Sequence, residues 1–416
     1  MHKANKHIVV FEHEILRFDI GEKRISEDQF KALQQYYGSG VPFFKLIYNG
    51  VQFNEHVGVI QVGKTLIEVL PKADKNSNFK LEEKKWRDIL IGMMRSVGGF
   101  DIKSTSSSHL KIKPNTILDL YFELFIKEVE YLLHSGLVKK YRKKEGNVSA
   151  LKGSLQFNKH IQHNITHQER FYVRHTTYDV NHKLHFILYK TLQLIKQINT
   201  NASLYGRIGS LFLNFPEMPD IKVTESTFNN LYFNRKTEHY KKGIEIAKLL
   251  LLQYHPDISK GRNNVLALMF DMNLLWEKFI FKSLRKHKKN KSQITAQTSK
   301  YFWKPEKGNR SSMKPDIWIE NEGESIILDT KWKNLNGYNP SPDDLRQMYV
   351  YHEYYKAKKV ALVYPGIKNE KRNGLFLDPV SSNPLEKECS VITIEVESNI
   401  NKWQQNISEQ FYNWLN

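Results

Sequence analysis

The chain has 416 residues, of which 40% are hydrophobic and 26% charged, a composition that excludes a disordered chain. Its 63 Lys and Arg residues exceed its 44 Asp and Glu residues by 19, which favours a polyanion such as DNA as partner. The single cysteine, Cys389, excludes an internal disulfide and a cysteine-based zinc site. Because we find neither a signal-peptide core nor an apolar run of membrane-spanning length, we expect a cytoplasmic multidomain protein without a membrane partner.

The first segment, residues 1–110, is predicted to be a small β-rich, barrel-like domain. Alternating and β-branched residues predict strands at residues 7–16, 43–49, 51–54 and 57–70. A helix is predicted at residues 26–37, because Ser26 and Gln29 have the spacing of a capping box and Phe30, Leu33 and Tyr37 share one face.

The middle segment, residues 111–252, is predicted to be mainly helical. Apolar residues at helical spacing predict helices at residues 81–98, which precede this segment, and at residues 117–134, 183–198 and 240–252. The part between the helices at 117–134 and 183–198 is expected to be rich in loops, and it opens with a basic tract at residues 139–144.

The last segment, residues 253–416, is predicted to be an α/β domain around a central mixed sheet. A long helix at residues 265–284 opens it, and a second helix is predicted at residues 342–355. Strands are predicted at residues 316–320, 325–332, 360–364 and 390–396, and a final helix is expected to start at Ser398. The whole chain is thus predicted to be a multidomain α+β protein.

The motif most indicative of chemistry lies in this last segment. Asp316 opens the first strand of a predicted hairpin, and Asp329, Thr330 and Lys331 end the second. Since side chains alternate along a strand, Asp329 and Lys331 point the same way, and a tight hairpin brings Asp316 alongside Asp329. Two carboxylates and the main-chain carbonyl of Thr330 favour a hard cation such as Mg²⁺. Lys331 is suited to position a water molecule or to stabilise charge that develops on a phosphodiester.

The series Pro-Asp, then Asp-x-Lys, resembles the active-site pattern of the PD-(D/E)xK nuclease superfamily. Glu277, on the preceding helix, stands where many members carry a further acidic residue. Gln347 and Tyr351 are four residues apart on the following helix and share a face, as in several branches of the superfamily. The resemblance therefore implies a catalytic set of Glu277, Asp316, Asp329, Lys331 and Gln347, with Asp316, Asp329 and Thr330 as metal ligands.

Further segments are similar to the McrC family, the nuclease subunit of McrBC-type restriction systems directed at 5-methylcytosine or other modified DNA. The clearest is Phe-Asp-Met-Asn-Leu-Leu-Trp-Glu at residues 270–277. The others are residues 57–60, 67–72, 151–155 and 261–264 and the pair Asp179 and Asn181. The matches extend from about residue 50 to residue 364.

This resemblance implies a Mg²⁺-dependent DNA endonuclease subunit of a GTP-dependent restriction complex active in phage defence. The implied partners are double-stranded DNA and a McrB-like AAA+ GTPase ring, which binds the GTP and recognises the modified DNA. The N-terminal domain is expected to dock on the ring and stimulate its GTPase, and pairing of nuclease subunits for double-strand cleavage stays open. Two alternatives remain: a free-standing nuclease in repair or recombination, and a non-catalytic adaptor of the ring.

Three other patterns have simpler interpretations. Residues 58–65 match the Walker A pattern, but a strand is predicted where a P-loop requires a helix, so we expect no nucleotide site. His160, His163 and His167 are expected in a solvated polar loop, and His182 and His185 at surface or boundary positions. The basic tracts at residues 139–144 and 285–291 are candidates for phosphate contacts and equally for ordinary solvated faces.

Overall fold

The protein is a mixed α+β molecule with several sheets, and it divides into two compact units. One unit comprises Met1–Lys111 and Pro256–Asn416, and the other comprises Ile112–His255. The computed structural model describes residues 6–38, 40–71, 79–97, 116–255, 265–288, 292–333, 335 and 339–415. Across these ranges, none of the helices combines the length and apolar character needed to cross a membrane.

The N-terminal part of the first unit consists mainly of short strands. In chain order its elements are β1 (Lys6–Phe11), β2 (Ile15–Arg17), α1 (Glu27–Tyr37), β3 (Phe44–Ile47), β4 (Gly50–Phe53), β5 (His56–Val62), β6 (Thr65–Leu70) and α2 (Phe79–Val97). Strands β2, β4 and β3 form one antiparallel sheet. In a second sheet, β6 lies between β1, to which it is parallel, and β5, to which it is antiparallel. The predicted β-rich character is confirmed, and a barrel-like closure stays a prediction.

The helix predicted at residues 26–37 is present as α1, and its capping box is formed. The Ser26 hydroxyl accepts a hydrogen bond from the Gln29 main-chain N–H at 3.2 Å, and the Gln29 side chain accepts one from the Ser26 N–H at 2.9 Å. Phe30, Leu33 and Tyr36 are buried in the core that α1 shares with both sheets. The predicted apolar face is therefore correct except for Tyr37, which is exposed.

The Walker A pattern at residues 58–65 forms the β5–β6 hairpin, with Val62 paired to Thr65. A Cβ atom at Gly58, where φ is +141°, would lie 2.0 Å from the Leu268 carbonyl oxygen of the neighbouring strand. Gly63 has φ of +57° in the turn itself. Strand packing and a turn thus account for both glycines, and a strand stands where a P-loop requires a helix.

The second unit contains helices and a three-stranded antiparallel sheet. In chain order its elements are α3 (Ile117–Ser135), β7 (Lys140–Val148), β8 (Ser154–Leu155), α4 (Phe157–Asn164), β9 (Phe171–Asp179), α5 (Lys183–Ile198), α6 (Ala202–Asn214), α7 (Glu225–Asn229), the 3₁₀ helix Glu238–Tyr240, α8 (Lys241–Leu252) and β10 (Tyr254–His255). Helices α3, α5 and α8 match their predicted ranges within one residue.

The loop-rich prediction for the part between α3 and α5 was wrong. Strands β7 and β9 are antiparallel over nine residue pairs, from Lys140 opposite Asp179 to Val148 opposite Phe171. The basic tract therefore begins a strand. The sequence conceals this because most β7 side chains are polar and exposed, so apolar alternation is absent.

The C-terminal part of the first unit contains a six-stranded mixed sheet. In chain order its elements are β11 (Val265–Asp271), α9 (Met272–Lys286), β12 (Gln293–Ala296), β13 (Lys300–Trp303), β14 (Ser311–Met313), β15 (Ile317–Asn321), β16 (Glu324–Thr330), α10 (Pro342–Tyr355), β17 (Ala357–Gly366), β18 (Glu370–Leu377), β19 (Pro384–Glu395) and α11 (Ile400–Leu415). The sheet order is β12-β15-β16-β17-β19-β18, with β16, β17 and β19 parallel. The predicted central mixed sheet is confirmed.

The long helix predicted at residues 265–284 was wrong in its first half. Val265–Asp271 is the strand β11, which pairs antiparallel with β5, and the helix begins only at Met272. A continuous apolar run does not distinguish a buried strand from a buried helix. The N-cap is Asp271, whose carboxylate accepts hydrogen bonds from the main-chain N–H groups of Asn273 and Leu274.

Candidate active site

The two aspartates of the motif lie on neighbouring strands of the mixed sheet. Ile317 pairs with Leu328, so the antiparallel register brings Asp316 opposite Asp329. Thr330 donates two hydrogen bonds to Asp316 Oδ2, from its main-chain N–H at 2.6 Å and from its hydroxyl at 2.8 Å. The predicted approach of the two carboxylates is present in the structure, and Thr330 orients one of them.

Asp329 is only 1% exposed. Burial raises the pKa of Asp329, and repulsion from the Asp316 carboxylate raises it further, to about 7. Burial also raises the pKa of Asp316, although its hydrogen bonds from Thr330 act in the opposite direction. The two carboxylates therefore repel one another in a poorly hydrated place, which is where added positive charge stabilises them most.

Lys331 supplies positive charge at this point. Its Nζ lies 2.6 Å from Asp329 Oδ2 and 4.0 Å from Asp344 Oδ1. Burial alone would lower the pKa of Lys331, but the combined attraction of Asp329, Asp316 and Asp344 outweighs it and the pKa is raised. Lys331 is thus held as a cation beside the buried carboxylate, on the side that strand alternation predicts.

Glu277, on α9, lies near the same pair. Its Oε1 accepts a hydrogen bond from Gln297 Nε2 at 2.9 Å, and the Gln297 main-chain N–H donates to the Asp316 carbonyl at 3.1 Å. Burial raises the pKa of Glu277, and the Asp316 carboxylate raises it further. Glu277 is therefore coupled electrostatically to Asp316, and Gln297 hydrogen-bonds both residues.

Gln347 and Tyr351 share one face of α10, as their spacing predicts. The Gln347 side chain donates a hydrogen bond to the Tyr351 hydroxyl at 2.8 Å. Burial raises the pKa of Tyr351, and the charges of Asp329 and Asp316 raise it further. Gln347 itself is exposed and contacts the site through this tyrosine.

Buried tryptophans hold the site in place. Trp332, directly after Lys331, donates from its indole to Glu12 Oε1 at 3.0 Å, and its main-chain N–H donates to Asn273 Oδ1 at 2.9 Å. Trp276, adjacent to Glu277, packs edge-on against Trp332 with ring centroids 5.5 Å apart. The ends of β16 and α9 are thus fixed against each other.

The oxygen atoms of the site are of the type that a hard divalent cation prefers, although they are few. Asp329 Oδ2 is buried and accepts no hydrogen bond of ordinary geometry, and the Lys331 ammonium is the cation beside it. In the described part of the chain, no group of three or more His, Cys, Asp or Glu side chains is arranged to hold a metal. A metal here would rely on Asp316, Asp329 and the Thr330 main-chain carbonyl, a set that stays a prediction.

Two polar residues at the site were not predicted from the sequence. Asp344 lies in the first turn of α10, where Ser341 caps the helix, and it forms an ion pair with Lys333 at 2.7 Å. In the sequence, Asp344 is marked only by its position three residues after Ser341, which resembles a capping pattern. Gln297 lies in an irregular connection after β12 and carries no signal.

The basic side chains of the two tracts contact different kinds of partner. In β7, Arg142 forms an ion pair with Asp179 at 3.1 Å, and Lys144 lies 3.6 Å from the same carboxylate. In the second tract, Lys286 ends α9 and donates to the side chains of Asn401 and Gln404. Residues 289–291 of that tract lie outside the described residues, as do Lys72 and residues 261–264.

The prediction of a solvated polar loop is correct for His167, which is exposed outside any helix or strand, and wrong for His160 and His163. His160 and His163 lie on α4 and stack on Phe171 and Tyr172 of β9. His185, expected at a surface or boundary position, is fully buried. Its ring nitrogens lie 2.5 Å from the Val180 carbonyl and 2.9 Å from the Tyr240 hydroxyl, so it fills a structural role in the second unit.

Comparison with known proteins gives a family match that includes the whole site. The family model described as McrBC 5-methylcytosine restriction system component matches residues 51–365, which is more than half of the chain. A curated relative, the type IV methyl-directed restriction enzyme EcoKMcrBC of Escherichia coli (strain K12), is 24% identical over 245 residues. That alignment covers 53% of this chain and 66% of the relative, slightly less than two thirds of its length.

Two solved structures share the fold. The refined half-complex from a tetradecameric assembly of Thermococcus gammatolerans McrB AAA+ hexamers with bound McrC matches with a TM-score of 0.73 and 20% identity, over 98% of this chain and 100% of that chain. The cryo-EM structure of the Thermococcus gammatolerans McrBC complex matches with a TM-score of 0.50 and 21% identity, over 68% and 88%. The resemblance to the McrC family is confirmed, and the chain belongs to the McrBC 5-methylcytosine restriction system component family.

Proposed function

We propose that this chain is the DNA endonuclease subunit of a McrBC-like, GTP-dependent restriction complex, with a nuclease centre of the PD-(D/E)xK type. The observation that carries this proposal is the buried pair Asp316 and Asp329, with the Lys331 ammonium 2.6 Å from Asp329. Paired carboxylates whose pKa values are raised in this way mark functional sites, because an unneutralised pair would only destabilise the fold.

The site residues have separate roles in this proposal. A Mg²⁺ ion held by Asp316, Asp329 and the Thr330 carbonyl would polarise the phosphodiester and supply hydroxide at neutral pH. Lys331, held as a cation, positions the attacking water and stabilises the negative charge that develops on the phosphate. Glu277 and Gln347 support this centre from α9 and α10.

Double-stranded DNA is the proposed substrate. The net charge of +19 favours a polyanion, and phosphate contacts account for much of the affinity in such complexes. The family to which the chain belongs is named for restriction of 5-methylcytosine DNA, which supports the same substrate class.

A McrB-like AAA+ GTPase ring is the proposed partner, and the β-rich N-terminal segment is the proposed docking region. The chain shares its fold with McrC bound to McrB AAA+ hexamers, which supports this partner. The Walker A pattern of this chain forms a hairpin, which supports GTP binding by the partner and not by this chain.

DNA cleavage by the purified chain with Mg²⁺ tests the proposal, measured with and without a candidate ring GTPase and GTP. We expect cleavage that requires ring and GTP and is abolished by Asp329→Ala. Cleavage by the chain alone, lost in the same variant, would instead indicate a free-standing nuclease. Stimulated GTP hydrolysis without any cleavage would indicate an adaptor.

Asp343→Ala is the matched control for this experiment. Asp343 lies on α10 with a largely exposed side chain that contacts Arg346 and none of the site residues. The Asp343→Ala variant should cleave DNA at the wild-type rate. Equal cleavage by Asp329→Ala and Asp343→Ala would show that the site has been assigned to the wrong residues.

A further inference from the structure

The hairpin formed by β13 and β14 exposes three consecutive aromatic side chains. Tyr301 is 66% exposed, Phe302 47% and Trp303 57%. A register shift between Tyr301 and Trp303 distorts the pairing at this point. Aromatic side chains grouped in solvent are unfavourable unless they meet a partner, so this cluster indicates a contact surface.

The base of the hairpin is firmly anchored. The Tyr355 hydroxyl, at the end of α10, lies 2.7 Å from the Thr298 carbonyl and 3.1 Å from the Met313 carbonyl, so one side chain holds both strands. Lys300 donates to the Tyr354 carbonyl at 3.1 Å, and its Nζ lies 4.6 Å from the Tyr355 ring centre. The aromatic cluster therefore projects from a fixed base.

Both ends of the hairpin lead directly to the candidate active site. Gln297, three residues before β13, hydrogen-bonds Glu277 through its side chain and Asp316 through its main chain. Asp316 itself follows the last residue of β14, Met313, by three positions. The base of the hairpin therefore lies next to Asp316 of the aspartate pair.

The charge of the hairpin favours an anionic partner. Residues 300–314 contain five basic residues and one acidic residue, Glu306, a local net charge of +4. The Arg310 guanidinium lies over the Tyr301 ring, 5.6 Å from its centre. Cations interleaved with exposed aromatic rings fit a partner that presents both phosphates and stackable bases.

We propose that the β13–β14 hairpin binds duplex DNA beside the bond that is cut, an assignment that rests on the proposed nuclease function. Tyr301 and Trp303 contact the bases at the neighbouring step, where an aromatic wedge can partly unstack the duplex. Lys304 and Lys307 contact the flanking phosphates. The hairpin thus positions the substrate, while the aspartate pair and Lys331 remain the reacting groups.

The test is equilibrium binding of a fluorescently labelled duplex to the full-length chain in EDTA, so that cleavage is absent. The double variant Tyr301→Ala/Trp303→Ala is expected to bind about tenfold more weakly, while Trp303→Phe keeps most of the affinity because it keeps an aromatic face. Tyr48→Ala is the control, because Tyr48, at 80% exposed, is at least as exposed as Tyr301 and Trp303, belongs to the same unit and lies in the β3–β4 turn. The Tyr48→Ala variant should bind the duplex with wild-type affinity.

Salt dependence separates the two kinds of contact. Lys304→Ala/Lys307→Ala should reduce the slope of log Kd against log salt by about 2, whereas the aromatic double variant should leave the slope unchanged. Circular dichroism and thermal melting verify that each variant folds. A loss of slope in the aromatic variant would contradict the assigned roles.

Three outcomes would overturn the proposal. They are wild-type duplex affinity in the aromatic double variant, a loss restricted to single-stranded oligonucleotide, and wild-type DNA binding combined with lost association with a ring GTPase. Asp329→Ala separates this proposal from the nuclease assignment. If that variant still cuts DNA, the site assignment fails although the hairpin can still bind; if only the hairpin variants behave like wild type, the hairpin proposal fails alone.

Discussion

Asp329 illustrates how a single residue can be unfavourable for stability and useful for chemistry. Its carboxylate is almost fully buried, and both burial and the Asp316 charge raise its pKa, to about 7. The Lys331 ammonium offsets only part of the cost of burying this carboxylate, because the pKa of Asp329 stays raised despite the ion pair. A bound divalent cation would remove the remaining repulsion, which is the physical reason to expect one here.

Metal binding should therefore stabilise the protein through this residue. We expect Mg²⁺ at millimolar concentration to raise the Tm of the wild-type chain by a few degrees, since a ligand that binds only the folded state stabilises it. Asp329→Asn should abolish most of that rise. Differential scanning fluorimetry in EDTA and in Mg²⁺ measures both, and Asp343→Asn, altered at an exposed carboxylate, is the control. An equal rise in the Asp329 variant would contradict the ligand assignment.

His185 is also buried, but in contrast to Asp329 its role is purely structural. Burial lowers its pKa to about 4, although the hydrogen bond to the Val180 carbonyl acts against this. The folded state therefore keeps the ring neutral in a pH range where the unfolded chain binds a proton. Acid should destabilise the second unit through this residue.

Proton binding by His185 determines whether acid raises or lowers the stability, and in which pH range. With a pKa of 6.5 unfolded and about 4 folded, stability is fully present above pH 6.5 and is lost as the pH falls towards 4. The loss is at most about 3 kcal/mol. Thermal melting between pH 7.5 and 4 should show a steeper decline in wild type than in His185→Asn. The exposed His134→Asn should keep the wild-type slope, and equal slopes in all three proteins would refute the account.

At the scale of elements, local signals in the sequence predicted much of the structure. The helix at residues 342–355 has its predicted bounds, and α1 forms with its capping box. The β15–β16 hairpin was predictable because a short turn joins two apolar runs, and it alone brings Asp316, Asp329 and Lys331 together. The core of the candidate site could thus be predicted because it is local in the chain.

What the sequence did not predict depends on contacts between distant segments. The apolar run at residues 265–271 pairs as a strand with β5, which lies about 200 positions earlier in the chain. Strands β13, β14 and β18 were missed, since β13 and β18 are largely exposed, β14 has only three residues, and none of them shows apolar alternation. Gln297 reaches Glu277 through an irregular connection, whose path no local pattern encodes.

Gly58 tests the β5–β11 pairing directly. A Cβ atom there would lie 2.0 Å from the Leu268 carbonyl oxygen, so Gly58→Ala should destabilise the first unit by more than about 2 kcal/mol. Gly206→Ala is the matched control, because no atom lies within 4 Å of a Cβ at that position of α6 and alanine favours helix. Urea unfolding compares the two. A Gly58→Ala protein as stable as wild type would show that these strands do not pack as described.

At the scale of the whole molecule, the first unit is assembled from both ends of the described chain. Strand β11 joins the N-terminal sheet, and the Trp332 indole donates to Glu12. The N-terminal segment and the segment with the candidate site therefore stabilise each other. A C-terminal segment that lacks the N-terminal strands would expose an unpaired strand edge and a buried tryptophan.

We therefore expect a fragment of residues 265–416 not to fold alone. Its near-ultraviolet circular dichroism should lack the signal of packed tryptophans, and co-expression with residues 1–111 should restore solubility. A fragment of residues 112–255, which forms the second unit, is the comparison. A native-like spectrum from residues 265–416 alone would contradict the mutual stabilisation.

The central claim is that Asp329 and Lys331 carry DNA cleavage, and a single-turnover measurement on Lys331→Met tests it most directly. The variant keeps much of the side-chain volume but removes the cation 2.6 Å from Asp329. With Mg²⁺, the ring GTPase and GTP present, we expect cleavage of prebound duplex DNA to slow at least a hundredfold, the scale of losing one group that stabilises transition-state charge. DNA affinity in EDTA should change little. Cleavage at the wild-type rate would contradict the account.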